Sequence, residues 1–266
     1  MIVPKKKLGQ HFLRDENVAR KIVQSAALGA DDLVLEIGPG TGALTKHLIQ
    51  ASKHVIGIEI DARAAALLRE SFGERMEVVE ADLLEVDLHA LAARARKPLR
   101  VVGNIPYYIT SEILFRLFEF RTDIKDATLM MQLEVAQRLI AKPRSKSYGI
   151  LSVSTQLYTK PEILFKVSRN SFFPKPEVDS AVVHCTMNQS LPRVDLQLFS
   201  NVVRATFGKR RKTLRNGLRF LGCSDSQLTE LRIDLTQRPE ELSVDDFLQL
   251  TRQLEPYRES LNLQFS

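Results

Sequence analysis

Five short apolar runs, each followed by a stretch with helical spacing, constrain this chain more than any other feature. They fall at residues 33–37, 55–58, 76–79, 99–102 and 127–131. A strand that is apolar at consecutive positions is covered on both faces, which is the condition of a parallel strand layered by helices. The alternation therefore predicts a doubly wound α/β sheet of the Rossmann-like kind, whose ligands bind beyond the carboxyl ends of the strands where the strand order reverses. Ahead of it, residues 15–28 carry Val18, Ile22, Val23 and Ala26 at helical spacing, with Asp15 as a cap. Residues 163–167 and 181–185 are late strands around the Pro-rich turn Phe173-Pro174-Lys175-Pro176, and are expected to end the sheet as an antiparallel hairpin.

Beyond Met187 the pattern changes to helical stretches at 195–206, 209–220, 224–231 and 243–254. The expected organisation is a sheet domain over 1–187 followed by a small all-helical domain over 188–266. A length of 266 residues with 44% apolar content is enough for one large core and a compact appendage. Cys185 and Cys223 are the only cysteines and have no CxxC spacing, and five scattered histidines offer no ligand set, so no metal is expected. No stretch approaches the roughly 18 to 20 apolar residues that cross a bilayer. A cytoplasmic, monomeric protein without a membrane partner is the expectation. The formal charge of +6 suits a polyanionic partner.

The first strand runs into Glu36-Ile37-Gly38-Pro39-Gly40-Thr41-Gly42, where glycines let the backbone turn tightly and approach a ligand. With Ala43 the loop also satisfies a loose dinucleotide fingerprint, so alone it admits a nicotinamide enzyme. Glu59 ends the second strand, where a carboxylate accepts from both ribose hydroxyls of an adenine nucleoside, in dinucleotide and S-adenosylmethionine sites alike. Asp82 follows the third strand and suits an adenine amino group, although an aspartate there equally caps a turn. Glu36 is expected to touch ligand rather than solvent.

The fourth strand ends in Asn104-Ile105-Pro106-Tyr107. An adenine amine is a poor nucleophile because its lone pair is delocalised into the ring. The Asn104 carboxamide oxygen and the Ile105 carbonyl would accept the two amine hydrogens and return electron density to nitrogen. Pro106 restricts Ile105 to extended geometry, and Tyr107 can stack on an extracted base. An isolated Asn-x-Pro-Tyr would be a Pro turn with a buried tyrosine; placed after strand four it points to amine methylation.

Taken together, Gly9-Gln10-His11-Phe12-Leu13, residues 36–45, Glu59-Ile60-Asp61, Asn104-Ile105-Pro106-Tyr107, residues 173–180 and 207–215 resemble the ribosomal RNA adenine dimethyltransferases that modify adjacent adenosines near the end of small-subunit ribosomal RNA. The resemblance covers nearly the whole chain. It implies a class I methyltransferase sheet and S-adenosylmethionine as cofactor, with His11, Leu13, Gly38, Gly40, Glu59, Asp82 and Asn104 around it. Asn104, Ile105, Pro106 and Tyr107 would act on the target. The family often carries asparagine at position 11, which implies a backbone contact from His11. The implied partner is small-subunit ribosomal RNA within an immature small ribosomal subunit. A sister group acting on large-subunit ribosomal RNA shares the cofactor and the Asn-x-Pro-Tyr logic, and a non-catalytic ribosome-assembly factor is the rival of another class.

Six basic residues lie between 204 and 215 with no acid among them: Arg204, Lys209, Arg210, Arg211, Lys212 and Arg215. On one continuous helix, Arg211, Arg215 and Arg219 would share a face by i, i+4 spacing. Arg210, Arg211, Lys212 and Arg215 are the expected RNA-phosphate contacts. Lys5, Lys6 and Lys7 read as a solvated terminus, Phe172 as core, and Tyr108 and Phe173 as either core or base-stacking residues.

Overall fold

The computed structural model describes residues 3–5, 9–209 and 211–263. In chain order the strands are β1 (Phe12–Leu13), β2 (Leu33–Ile37), β3 (His54–Glu59), β4 (Glu77–Glu80), β5 (Leu99–Asn104), β6 (Ile124–Gln132), β7 (Thr159–Val167), β8 (Phe172–Phe173) and β9 (Ser180–Met187). The helices are α1 (Glu16–Ser25), α2 (Thr45–Ala51), α3 (Ala62–Phe72), α4 (Leu88–Ala95), α5 (Thr110–Glu119), α6 (Leu133–Leu139), α7 (Ile150–Tyr158), α8 (Leu196–Phe207), α9 (Leu214–Phe220), α10 (Asp225–Glu230) and α11 (Val244–Leu254). Among the described residues no helix is long and apolar enough to cross a membrane.

The chain forms two compact units, one of residues 1–136 with 159–189 and the other of residues 137–158 with 190–266. In the first, seven strands run in the order β4-β3-β2-β5-β6-β9-β7. The first five are mutually parallel, while β9 runs antiparallel to both β6 and β7. All five residues of β2 are buried, as its unbroken apolar run requires of a strand covered on both faces. The chain leaves β2 toward β3 and leaves β5 toward β6, in opposite directions across the sheet, so the β2/β5 pair is the switch point. The predicted late hairpin is present, with β9 inserted between β6 and β7.

Helix α1 starts where Asp15 accepts from the N–H groups of Asn17 and Val18, at 3.0 and 3.2 Å, and it buries Ala19, Ile22 and Val23. At the opposite end of the sheet from the ligand side, the buried Arg100 guanidinium pairs with Asp126 and Asp32 and donates to the carbonyls of Ala26 and Ala27. Such full pairing is what a buried guanidinium needs, and it ties the turn after α1 to β5 and β6.

The second unit is helical and begins earlier than a division at Met187. Tyr148, Val153 and Leu157 are buried in the same apolar cluster as Leu198, Phe199, Leu218 and Phe247, so residues 137–158 belong to it. Helix α7 escapes a periodicity reading because Ile-Leu-Ser-Val-Ser-Thr-Gln-Leu-Tyr mixes β-branched and hydroxyl residues without a clear apolar stripe.

Candidate active site

A cleft of about 210 Å³ lies at the carboxyl ends of β2, β3 and β5, lined by Gly9–Phe12, Gly38, Gly40, Glu59, Ile60, Asp82, Leu84 and residues 104–109 among others. It occupies the position that the strand order dictates. His11, Gly38, Gly40, Glu59, Asp82, Asn104, Ile105, Pro106 and Tyr107 all line it. Leu13 does not: its side chain is 5% exposed within the core of the sheet unit, and Phe12 takes the place at the wall.

Gly38 and Gly40 adopt φ of +61° and +58°, the left-handed region that a side chain disfavours. A Cβ at Gly38 would meet nothing within 4 Å, so the backbone here offers open space, whereas one at Gly40 would lie 2.9 Å from the Phe12 ring. The loop is held by Glu59, whose two oxygens accept from the N–H groups of Gly40 and Asp61, each at 2.9 Å. Burial raises the Glu59 pKa, and those two hydrogen bonds oppose the rise.

Glu36 corrects the expectation of a ligand contact. It is 1% exposed, lies off the cleft lining, and accepts a 2.7 Å hydrogen bond from Thr45 Oγ1. Its place is beneath the glycine loop, where it fastens β2 to the start of α2. Burial pushes its pKa up to about 8, so the folded protein holds it as a neutral acid at neutral pH.

The residues before β1 are drawn to the site through Asp61, which accepts from Lys5 Nζ at 3.2 Å and Gln10 Nε2 at 3.3 Å. With Arg63 pairing as well, the Asp61 carboxyl stays well below the usual carboxylate range. Sequence reasoning quoted Gln10 and Asp61 without giving them a role. Their signal is only a shared contact between segments far apart in the chain. Ile60 was also missed: it lines the cleft although 52% exposed, an apolar side chain facing the ligand space between two acids.

Asn104 Nδ2 donates to the His11 carbonyl at 2.9 Å. That carbonyl can only accept, so the amide nitrogen is fixed toward it and the Asn104 oxygen remains available as an acceptor at the cleft. The His11 ring is held in turn: Nδ1 donates to the Pro174 carbonyl at 2.7 Å, and the ring stacks on Tyr107 with centroids 5.5 Å apart. Tyr107 forms a 2.6 Å hydrogen bond with Ser180, and burial raises its pKa, so the phenol stays neutral. Ile105 is buried, with its N–H on the Met130 carbonyl at 3.1 Å. Pro106 follows with φ −61° and ψ 134°. Asp82 lines the cleft and also caps a 3-10 turn, accepting from the Leu84 N–H at 2.9 Å.

The basic segment lies in the helical unit and differs from one continuous helix. Helix α9 begins at Leu214, and Arg211 and Lys212 sit in the turn before it, closed by the Lys212 N–H on the Lys209 carbonyl at 2.7 Å. Gly208, followed by this turn, interrupts the helical path, so Arg211 does not share a helix face with Arg215 and Arg219. Arg211 and Lys212 are exposed, Arg215 is half-buried, and Arg219 is engaged with Asp225 at 2.6 Å. Arg210, like Lys6 and Lys7, lies outside the described residues.

A family model described as ribosomal RNA adenine dimethylase matches residues 3–255. A ribosomal RNA small subunit methyltransferase A from Chlorobium phaeobacteroides is 47% identical over 96% of the chain and 93% of its own length. One from Bacteroides thetaiotaomicron is 43% identical over 96% and 95%. Among solved structures, a dimethyladenosine transferase from Plasmodium falciparum aligns with a TM-score of 0.76 at 27% identity, covering 94% of this chain and 99% of that one. The 23S rRNA methyltransferase ErmE aligns at 0.67 with 30% identity, covering 92% and 99%. From its cleft, its strand order and a match spanning almost its full length, the chain belongs to the ribosomal RNA adenine dimethylase family.

Proposed function

We propose that this protein dimethylates two adjacent adenosines near the 3' end of 16S ribosomal RNA in the small subunit, giving N6,N6-dimethyladenosine with S-adenosylmethionine as methyl donor. The observation that carries the reading is the Asn104 side chain, whose nitrogen is committed to the His11 carbonyl and whose oxygen is thereby free to accept from an amine.

The residues present fit the adenosyl cofactor. Gly38 leaves open space where a side chain would stand. Glu59 offers acceptor lone pairs beyond those used by Gly40 and Asp61, which suits a ribose diol. Asp82 suits the adenine amino group, and Ile60 and Leu84 supply apolar surface for a purine ring. His11, in the cleft wall just before β1, completes the set. When bound, the cofactor supplies an electrophilic methyl group on a sulfonium.

Asn104 Oδ1 and the Ile105 carbonyl accept the two hydrogens of the target amine and hold its lone pair out of the ring plane. Pro106 keeps Ile105 extended so that its carbonyl stays aimed. Tyr107, braced by His11 on one face and Ser180 at its hydroxyl, offers its other face to the base. No side chain need act as a general base, because an alkylated adenine ammonium is acidic enough to lose its proton to water. Arg210, Arg211, Lys212 and Arg215 in the helical unit supply phosphate contacts that position the RNA without reading its sequence. The substrate is an immature small ribosomal subunit in the cytoplasm, the protein acts as a monomer, and methylation accompanies subunit assembly.

Purified protein with methyl-labelled cofactor should label immature small subunits and yield dimethyladenosine, leaving large-subunit RNA unlabelled. Label in the large subunit would overturn the choice of substrate. An unlabelled small subunit that still binds the protein would leave an assembly factor without catalysis.

A further inference from the structure

Beside the cleft, the short sheet of β1 and β8 has two unlike faces. Leu13 pairs with Phe172, and both are buried, at 5% and 4% exposed. Phe12 pairs with Phe173. Directly opposed residues in an antiparallel pair project to the same side, and successive residues alternate. Phe12 and Phe173 therefore share the outward face, with Phe12 forming part of the cleft wall and Phe173 46% exposed next to it. Arg14 follows Phe12 by two residues and returns to that face: its guanidinium carbon lies over the Phe173 ring, 3.9 Å from the centroid. The Arg14 N–H to the Ser171 carbonyl, at 2.8 Å, fixes this part of the chain. Among the described residues no carboxylate pairs with Arg14, which is exposed.

An exposed phenyl ring under an unpaired guanidinium, anchored on the strand next to a cleft wall, is more than core packing needs, since the core is served by the other face. The pair combines an aromatic surface with cationic donors, which is the chemistry of a nucleotide contact: the ring stacks on a base and the guanidinium meets the adjoining phosphate. We propose that Arg14 and Phe173 form a platform for the nucleotide next to the target adenosine, holding the RNA strand as the target base enters the cleft. This rests on the reading of the cleft as an RNA adenine methyltransferase site and adds a contact outside it. Phe173 and Arg14 would be positioning residues for the substrate strand, and neither touches the reacting atoms.

The test uses Phe173→Leu, which keeps apolar bulk and removes the ring, Phe173→Trp, which restores one, and Arg14→Met, which keeps the stem and removes the charge. Substrates are immature small subunits and a short RNA hairpin carrying the adenosine pair, with 2-aminopurine placed in turn on either side of it. Phe173→Leu should raise the RNA KM by about tenfold, as loss of one base-stacking contact does, with kcat and cofactor affinity unchanged. Phe173→Trp should return KM toward the wild-type value, and Arg14→Met should raise it and reduce its salt dependence. In the wild type, emission from one flanking 2-aminopurine should fall on binding, and Phe173→Leu should abolish that fall. Equal KM and equal quenching in wild type and Phe173→Leu would overturn the proposal. So would a defect seen with subunits but not with the hairpin, which would place a protein on this face. If the wild type itself transferred no methyl group to either RNA, the underlying functional reading would fail instead.

Discussion

Replacing Glu36 by glutamine tests the assignment of this residue as a neutral, buried fastener of the glycine loop. In the folded protein its pKa is raised from an ordinary 4.5 to about 8, chiefly by burial. Between those values the folded state keeps the proton and the unfolded state releases it, so stability falls as pH rises through the window. The slope is about 1.4 kcal/mol per pH unit, which gives about 3 kcal/mol at pH 7 and an upper bound of about 5 kcal/mol above pH 8. Glutamine can still accept from Thr45 Oγ1 and cannot ionise. Glu36→Gln should therefore match the wild type near pH 4, below the unfolded pKa, and be the more stable protein at pH 7 and above, by an amount that grows with pH and levels off past pH 8. Urea unfolding followed by far-ultraviolet circular dichroism at several pH values, comparing the sheet-unit transition in the two proteins, measures it. A constant difference across pH would instead mean that Glu36 is ionised when folded and is no neutral fastener.

Other variants separate cofactor binding, target positioning and RNA contact. Gly38→Ala has room for its Cβ but must adopt a left-handed φ; it should lower stability by about 1 kcal/mol and weaken cofactor binding well beyond that, because the methyl group enters the space beside the loop, as calorimetric titration would show. His11→Ala removes the stack on Tyr107 and the hydrogen bond to Pro174 while keeping the backbone carbonyl that holds Asn104; single-turnover methyl transfer should slow about tenfold, within the span of a lost aromatic and polar contact. Charge reversal of both Arg211 and Arg215 to glutamate should weaken RNA binding and flatten its dependence on salt in filter-binding titrations.

The parallel strands and the position of the cleft were legible because buried strands announce themselves as unbroken apolar runs, and strand order then dictates where ligands go. Asn104, Glu59 and Gly38 were legible for the same reason: each stands at a strand end. What the sequence hid is held by contacts between distant segments. The β1–β8 pair is two residues long, too short for any periodicity. Glu36 looked like a ligand contact because it ends a strand near the glycines, yet its side chain turns to Thr45. The basic run read as one helix because Lys and Arg are good helix formers, while Gly208 and the turn to Lys212 delay α9 until Leu214. Residues 137–158 joined the helical unit through contacts such as that of Tyr148 with Phe207, ring centroids 6.1 Å apart, across a long stretch of sequence.

If the Asn104 carboxamide oxygen holds the target amine, methyl transfer depends on it, and Asn104→Ala can be compared with the wild type in single-turnover transfer to immature small subunits at saturating cofactor. The rate should fall by about 10²- to 10³-fold, the usual cost of removing one preorganised polar group from a reacting centre, with cofactor and RNA affinities retained. Near wild-type turnover in that variant would contradict that role.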